Sequence, residues 1–393
     1  MTIGLNSRAV VSACALCAAG LLALTPAAAA SRAGAPDPGG PEVRTAAGQQ
    51  PSLLDRPGTQ VQPRAGAPKV PRVSALSWLV ADARTGEVLA AHDAHRRLPP
   101  ASTLKTLFAL TVLPVLPGGV RHKVGARELQ GIGAGSSLVG ITKGTTYRVA
   151  DLWHGVFLNS GNDAVHVLAE LSGGWRSTAA RMQAKARSLG AHDTRVVSPD
   201  GYDAPGQVSS AFDLAVFGRA GLRNADFARY CATVRATFPG GRRGAYRIQN
   251  TNRLLTGADG VDRYPGLIGV KNGYTSKAGH TLVSAAERHG RTLVVTVMNP
   301  QSGGPRAVYE ETRRLLDWGF AAAGRVEPVG SLDARRAAPR PGPPDAAPAV
   351  TPTLAPDAGP PWPQAAAITG AAALGAAAVW LLLRGKVPRR EEG

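Results

Sequence analysis

Three runs in the C-terminal half constrain this chain's fold more than any other feature: "GLIGVKNGYT" (266–275), "HTLVSAAERHG" (280–290) and "RTLVVTVMNP" (291–300). Each is short, rich in Val, Leu, Ile and Thr, and bounded by turn-forming residues, the marks of a strand. A turn around His289 and Gly290 joins the last two. A further strand pair is expected much earlier, in "SALSWLVADARTGEVLAAHD" (74–93), about a turn at Arg84, Thr85 and Gly86. Between these ends the pattern is helical. "VADLWHGVFLN" sets Val149, Leu152, Trp153, Val156 and Phe157 at i, i+3, i+4, i+7 and i+8, one apolar stripe. It stops at "NSGND", and "AVHVLAEL" then resumes as a helix, so Ser160, Gly161 and Asn162 occupy a tight link between two helices. A last helix is expected over "VYEETRRLLDWGFAAA" (308–323). The implied class is α/β in the α+β sense: one antiparallel sheet flanked by helices and closed by the N- and C-terminal segments, with a mainly helical lobe inserted between them.

The flanks divide the chain. Residues 1–30 contain Arg8, then "AVVSACALCAAGLLAL", and end in "TPAAAA", the pattern of a secretory signal peptide. Residues 31–70 are rich in Pro, Gly and Ala with few large apolar side chains, and are expected to form a disordered tether. Residues 326–363 read the same way, as a stalk. The uncharged stretch "AAAITGAAALGAAAVWLLL" (365–383) would reach roughly 28 Å as a helix, about one hydrocarbon core, so residues 364–384 are expected to span a membrane. Arg384, Lys386, Arg389 and Arg390 follow at once, which puts the tail, residues 385–393, in the cytoplasm. The expected localisation is therefore the cell membrane, single-pass, with the domain at 71–325 held outside.

The formal net charge is +18, but the charges are dispersed. No basic run is interleaved with aromatics, so nucleic acid is not an expected partner. A basic exported face suits anionic lipid headgroups, wall polymers and carboxylate-bearing substrates. Cys14 and Cys17 leave with the signal peptide, so Cys231 stands alone and no intrachain disulfide can form. In "FARYCATV" it reads as core filling. "HDAH" (92–95) has the spacing of a weak metal pair without a third ligand, and no metal or other cofactor is expected.

The chemistry begins at "LPPASTLKTLFAL" (98–110). Two prolines keep a helix from starting before Ala101, and Ser102 and Lys105, three apart, would share one face. A serine hydroxyl is a poor nucleophile until a base takes its proton. There is no G-x-S-x-G elbow and no helpful histidine pattern. A lysine can serve instead if burial and neighbouring positive charge lower its pKa. Ser102 and Lys105 form the only S-x-x-K in the chain, and Ser160-Gly161-Asn162 contains the only S-x-N. The Ser160 hydroxyl could pass a proton to a leaving group, and the Asn162 amide could fix Lys105 and a substrate carbonyl. K-x-G occurs at Lys123, Lys271 and Lys277, but only Lys271-Asn272-Gly273 lies in an apolar strand. There Gly273 would let a substrate backbone lie alongside, and Lys271 would add positive field for a carboxylate.

In this order S-x-x-K, S-G-N and K-x-G resemble the serine D-alanyl-D-alanine carboxypeptidases, the low-molecular-mass penicillin-binding proteins. "LVADARTGEVLAAHDAHRRLPPAS", "YRVADLWHGVFLNSGNDAV", "SPDGYDAPGQVSSAFDLA", "GVKNGYTSKAGHTLV" and "RRLLDWGF" are similar to that family too, in order, over about residues 75–322. The resemblance implies the penicillin-binding transpeptidase and β-lactamase-like fold. It further implies that Ser102 attacks the carbonyl between two D-alanines at the end of a peptidoglycan stem peptide while Lys105 accepts its proton. The backbone N–H groups of Ser102 and Tyr274 would hold the oxyanion. Ser160 and Asn162 would complete the relay, Lys271 would face the terminal carboxylate, and β-lactam antibiotics would act as covalent inhibitors.

Three features depart from the family's pattern. The third motif usually carries Thr or Ser where this chain has Asn272, an amide that can still donate a hydrogen bond. An arginine before the last helix often helps bind the carboxylate, and Arg306 is the nearest candidate, about two residues from the usual spacing. The β-rich module that often follows the catalytic domain is replaced by the expected stalk and span. Two rival readings remain. A β-lactamase would normally need a glutamate in an E-x-x-L-N pattern after the second motif, and none is found. A catalytically weak wall-interaction protein has only Asn272 in its favour.

Overall fold

The computed structural model describes residues 52–241 and 244–333. The expected signal peptide, the membrane span and the basic tail lie outside the described residues. Among those described, no helix is long and apolar enough to cross a membrane.

Strands β1 (Thr59–Pro63), β2 (Ala75–Asp82) and β3 (Glu87–His92) open the domain. Helix α1 (Lys105–Val112), strands β4 (Arg121–Lys123) and β5 (Thr146–Arg148), and helices α2 (Val149–Leu158), α3 (Asn162–Leu171) and α4 (Trp175–Ser188) follow. Next come α5 (Ala211–Leu222), α6 (Ala225–Ala232), the hairpin of β6 (Arg235–Pro239) and β7 (Ala245–Gln249), and the one-turn α7 (Arg253–Thr256). The chain returns to the sheet through β8 (Leu267–Thr275), β9 (Gly279–Arg288) and β10 (Arg291–Pro300). It closes with α8 (Ala307–Ala322), β11 (Val326–Glu327) and β12 (Gly330–Ser331).

The main sheet is antiparallel in the order β11-β1-β3-β2-β10-β9-β8, with β12 also on β3. Its central strands read as near-continuous apolar runs because helices cover both faces. Leu293 and Val80 face α8, where a Cβ on Gly319 would fall 2.8 Å from each of them. The alternate face meets α5, where a Cβ on Gly218 would fall 2.8 Å from Val283. Both glycines thus let a helix lie close against the sheet. Leu315 and Leu316 are fully buried in the α8 layer, and each such side chain contributes about 1.5–3 kcal/mol.

The expected sheet with its helical insertion is what the chain forms, with three differences. Residues 54–70 are not tether: β1 pairs with β3 and β11, and Leu54 is buried. The ordered domain likewise continues past residue 325, through β11, β12 and the Arg219–Asp333 ion pair at 2.7 Å. The Ser102 segment begins as a 3₁₀ turn, Ala101–Leu104, before α1 takes over at Lys105. In a 3₁₀ turn residues three apart eclipse, which stacks Lys105 over Ser102 more directly than an α-helix would.

Cys231 lies in α6, buried, its thiol donating to the Ile268 carbonyl at 3.3 Å; burial pushes its pKa up to about 12. His92 and His95 take separate partners, Thr59 and Asp193.

Candidate active site

Ser102 is docked on the sheet by the residue before its turn. The Pro100 carbonyl accepts from Thr103 Oγ1 at 2.5 Å and from Thr281 Oγ1 of β9 at 3.0 Å. The backbone of β8 then comes against the serine: a Cβ on Gly273 would lie 2.7 Å from the Ser102 amide nitrogen. Glycine is the residue that permits this approach.

Lys105 is buried, and its Nζ donates to Ser102 Oγ at 2.7 Å, Asn162 Oδ1 at 2.7 Å and the Asp200 carbonyl at 2.8 Å. Ser160 Oγ is more distant, at 3.4 Å. Three N–H donors thus meet three close acceptors, and the amine is fully oriented. Desolvation lowers the Lys105 pKa from 10.5 to about 8, against the opposing pull of Asp200 and Asp163.

The second motif sits where α2 gives way to α3. Ser160 is buried with φ at 57°, in the left-handed region, and Asn162 is the first residue of α3 rather than part of the link. The Asn162 side chain joins two elements: its oxygen accepts from Lys105 and its Nδ2 donates to Ser136 Oγ at 2.9 Å. Ser136 belongs to a loop held by the next residue of α3. The Asp163 carboxylate accepts from the backbone N–H groups of Val139, Gly140 and Ile141 at 3.0, 2.8 and 2.9 Å.

Lys271 is also buried, and it lines neither of the cavities beside the serine. Its Nζ donates to the Asn272 carbonyl at 2.7 Å. Burial first, and the charge of Lys105 second, hold its pKa well below the ordinary lysine value.

Two cavities flank the Gly273–Tyr274 segment. One, of about 210 Å³, holds Ser102, Ser136, Asn162 and Tyr202. The other, of about 350 Å³, holds Asn272, Thr251, Arg253, His280 and Tyr309. Tyr274 lines both, its ring exposed and tilted against His280 at 4.6 Å. Arg306 is not among the lining residues; it is exposed at the start of α8, its guanidinium close to Gly260. The guanidinium beside Asn272 belongs to Arg253, held by Asp259 at 3.0 Å and lying over the Tyr309 ring.

The three motifs, far apart in sequence, are thus gathered around one buried amine. Asp200, Ser136, Thr251 and Arg253 are site residues that motif reading did not select. The only available signal was for Asp200, which stands in "SPDGYDAPGQ", a stretch already similar to the family.

The family described as D-alanyl-D-alanine carboxypeptidase matches residues 64–302. The D-alanyl-D-alanine carboxypeptidase DacB2 of Mycobacterium tuberculosis is 41% identical over 276 residues, 69% of this chain and 90% of that protein. The carboxypeptidase DacD of Escherichia coli is 33% identical over 266 residues, 64% of this chain and 65% of the relative's length. Among solved structures, the Mycobacterium tuberculosis D-alanyl-D-alanine carboxypeptidase superposes with a TM-score of 0.63 at 40% identity, covering 69% of this chain and all (100%) of the other. The Streptomyces K15 DD-transpeptidase superposes at 0.59 and 27% identity, covering 65% of this chain and 100% of the other.

Proposed function

This chain belongs to the D-alanyl-D-alanine carboxypeptidase family, and from that premise we propose that it removes the terminal D-alanine of peptidoglycan stem peptides through an acyl-Ser102 intermediate. The observation that carries the mechanism is the 2.7 Å contact from a buried Lys105 amine of lowered pKa to the Ser102 hydroxyl. In its neutral form that amine takes the serine proton as Oγ attacks the penultimate carbonyl. Asn162 and the Asp200 carbonyl hold the amine on line while its charge grows.

The developing oxyanion sits between the N–H groups of Ser102 and Tyr274, in the space that Gly273 leaves open. Ser160 relays the proton to the leaving amine, and the departing D-alanine keeps its carboxylate in the Asn272–Arg253 cavity. The acyl part of the stem peptide occupies the cavity lined by Ser136 and Tyr202. Water then hydrolyses the ester. A β-lactam, which offers a carboxylate and a strained amide, acylates the same serine.

The reading extends to location: residues 1–30 direct export, 364–384 anchor the chain, and 334–363 act as the stalk. What supports this is the uncharged span followed by four basic residues. Protease added outside intact cells should release the catalytic domain; a domain recovered untouched from the cytosol would refute the anchor. The activity is tested by incubating the purified chain with a peptide ending in D-Ala-D-Ala and measuring free D-alanine. Release of one equivalent per peptide is expected, and an intact peptide after long incubation would contradict it.

A further inference from the structure

At the end of the sheet away from Ser102, a cleft of about 590 Å³ opens between the β2–β3 turn, the end of α5, α6 and the β9–β10 hairpin. Ile268, which lines it, precedes Gly273 by five residues on β8, so the cleft lies roughly 17 Å from the Ser102 backbone along an extended strand. Nothing in the proposed reaction uses it.

Four arginines line the cleft, and they divide into two kinds. Arg291 is paired with Asp82 at 2.8 Å, and the other oxygen of that carboxylate is taken by the Arg84 and Thr85 N–H groups. Arg219 is tied to Asp333 at 2.7 Å and to the Ala83 carbonyl at 2.8 Å. These two are structural bolts, each matched to one carboxylate. Arg84, on the turn, and Arg223, at the end of α5, are exposed and form no close ion pair among the described residues, Asp333 acting on Arg223 only at longer range. Asp82 is the single carboxylate among the lining residues, and it is fully engaged.

We propose that this cleft binds a phosphate group, with Arg84 and Arg223 supplying the forks beside two arginines already neutralised by Asp82 and Asp333. A planar carboxylate is satisfied by one guanidinium, as Asp82 and Asp333 already are. A tetrahedral phosphate presents three oxygens and can take forks arriving from separate walls. Arg84 and Arg223 come from such separate elements, a strand turn and a helix end.

The probe is inorganic pyrophosphate, titrated calorimetrically into the full chain in neutral detergent at constant ionic strength near 0.1 M, where screening acts over about 10 Å. Saturable single-site binding is expected. Arg84→Gln with Arg223→Gln should weaken it at least about tenfold, since each charge-assisted bond is individually worth that much. The rate of penicillin acylation should not change in this variant. Arg176→Gln with Arg187→Gln, an equal charge loss at exposed sites on α4, should leave pyrophosphate binding intact. Absence of binding, or equal weakening in both double variants, would overturn the proposal. So would attachment to phosphatidylglycerol vesicles through Arg84 and Arg223 without pyrophosphate binding, because the arginines would then serve a flat lipid surface.

Discussion

The Thr251 hydroxyl donates to the Asn272 carboxamide oxygen at 3.0 Å, and this one bond decides how the unusual third motif is presented. With its oxygen engaged, the amide keeps its nitrogen, a donor with two N–H groups, for the Tyr309 hydroxyl and for a ligand in the cavity that also holds Arg253. A motif that ordinarily offers a hydroxyl donor here offers an amide donor instead. Asn272→Ala should therefore lower kcat/KM for D-alanine release by about tenfold to a hundredfold, the value of one hydrogen bond to a charged group at roughly 1.5–3 kcal/mol. Asn272→Thr should keep or raise it. An alanine variant with unchanged kinetics would mean that the side chain does not touch substrate.

Arg253 and Arg306 make opposite predictions. Arg253 lines the cavity with Asn272, whereas Arg306 does not. Arg253→Ala should raise KM by about tenfold or more, the loss expected for a charge-assisted contact to a carboxylate, while Arg306→Ala should leave it within about twofold. Steady-state assays on peptides with a free and an amidated C-terminus check the cause. The Arg253 effect should vanish on the amidated peptide, and a loss of equal size on both peptides would assign Arg253 a structural role.

The pH dependence follows from Lys105. Its pKa in the folded chain is about 8 against an ordinary 10.5, so the neutral base is the minor form at neutral pH. The acylation rate should rise with pH through about 8 and level off above it. Stability carries the same sign. The unfolded chain holds this proton more tightly, so the cost of burying the charge is fully present below about 8 and is relieved as pH rises toward 10.5. A flat profile across this range would assign the base elsewhere.

Much of this site was legible because its reactive groups come in short local spacings. Ser102 and Lys105 lie one turn apart, Ser160 and Asn162 bracket a helix junction, and Lys271 precedes the glycine that admits Ser102's backbone. What escaped reading depends on long-range contact. Asp200 contributes a main-chain carbonyl, a group that every residue owns, across 95 positions of sequence. Ser136 reaches the site because Asp163, the Asn162 N–H and the Tyr202 hydroxyl hold its loop against α3 and the site. Arg253 lies in a one-turn helix with no apolar period to mark it.

The tether boundary failed for a related reason. β1, "TQVQP", lies one strand in from the sheet's edge with a polar, largely uncovered sequence, and it is held by backbone pairing with β3 and β11 rather than by burial. Composition registers burial and misses such pairing. The same limitation applies at β11 and β12, two residues each.

Intact-mass spectrometry of the purified chain with penicillin over time tests the acyl-Ser102 account most directly. In penicillin the leaving amine stays tethered to the acyl group and obstructs water, whereas a positioned general base, commonly worth about a hundredfold to ten-thousandfold, would be needed to overcome this. The account predicts a rapid mass increase of one penicillin, persistence of the adduct for minutes or longer, and no adduct in Ser102→Ala at an unchanged melting temperature. Labelling that survives Ser102→Ala, or a prompt return to the unmodified mass with catalytic loss of penicillin, would contradict it.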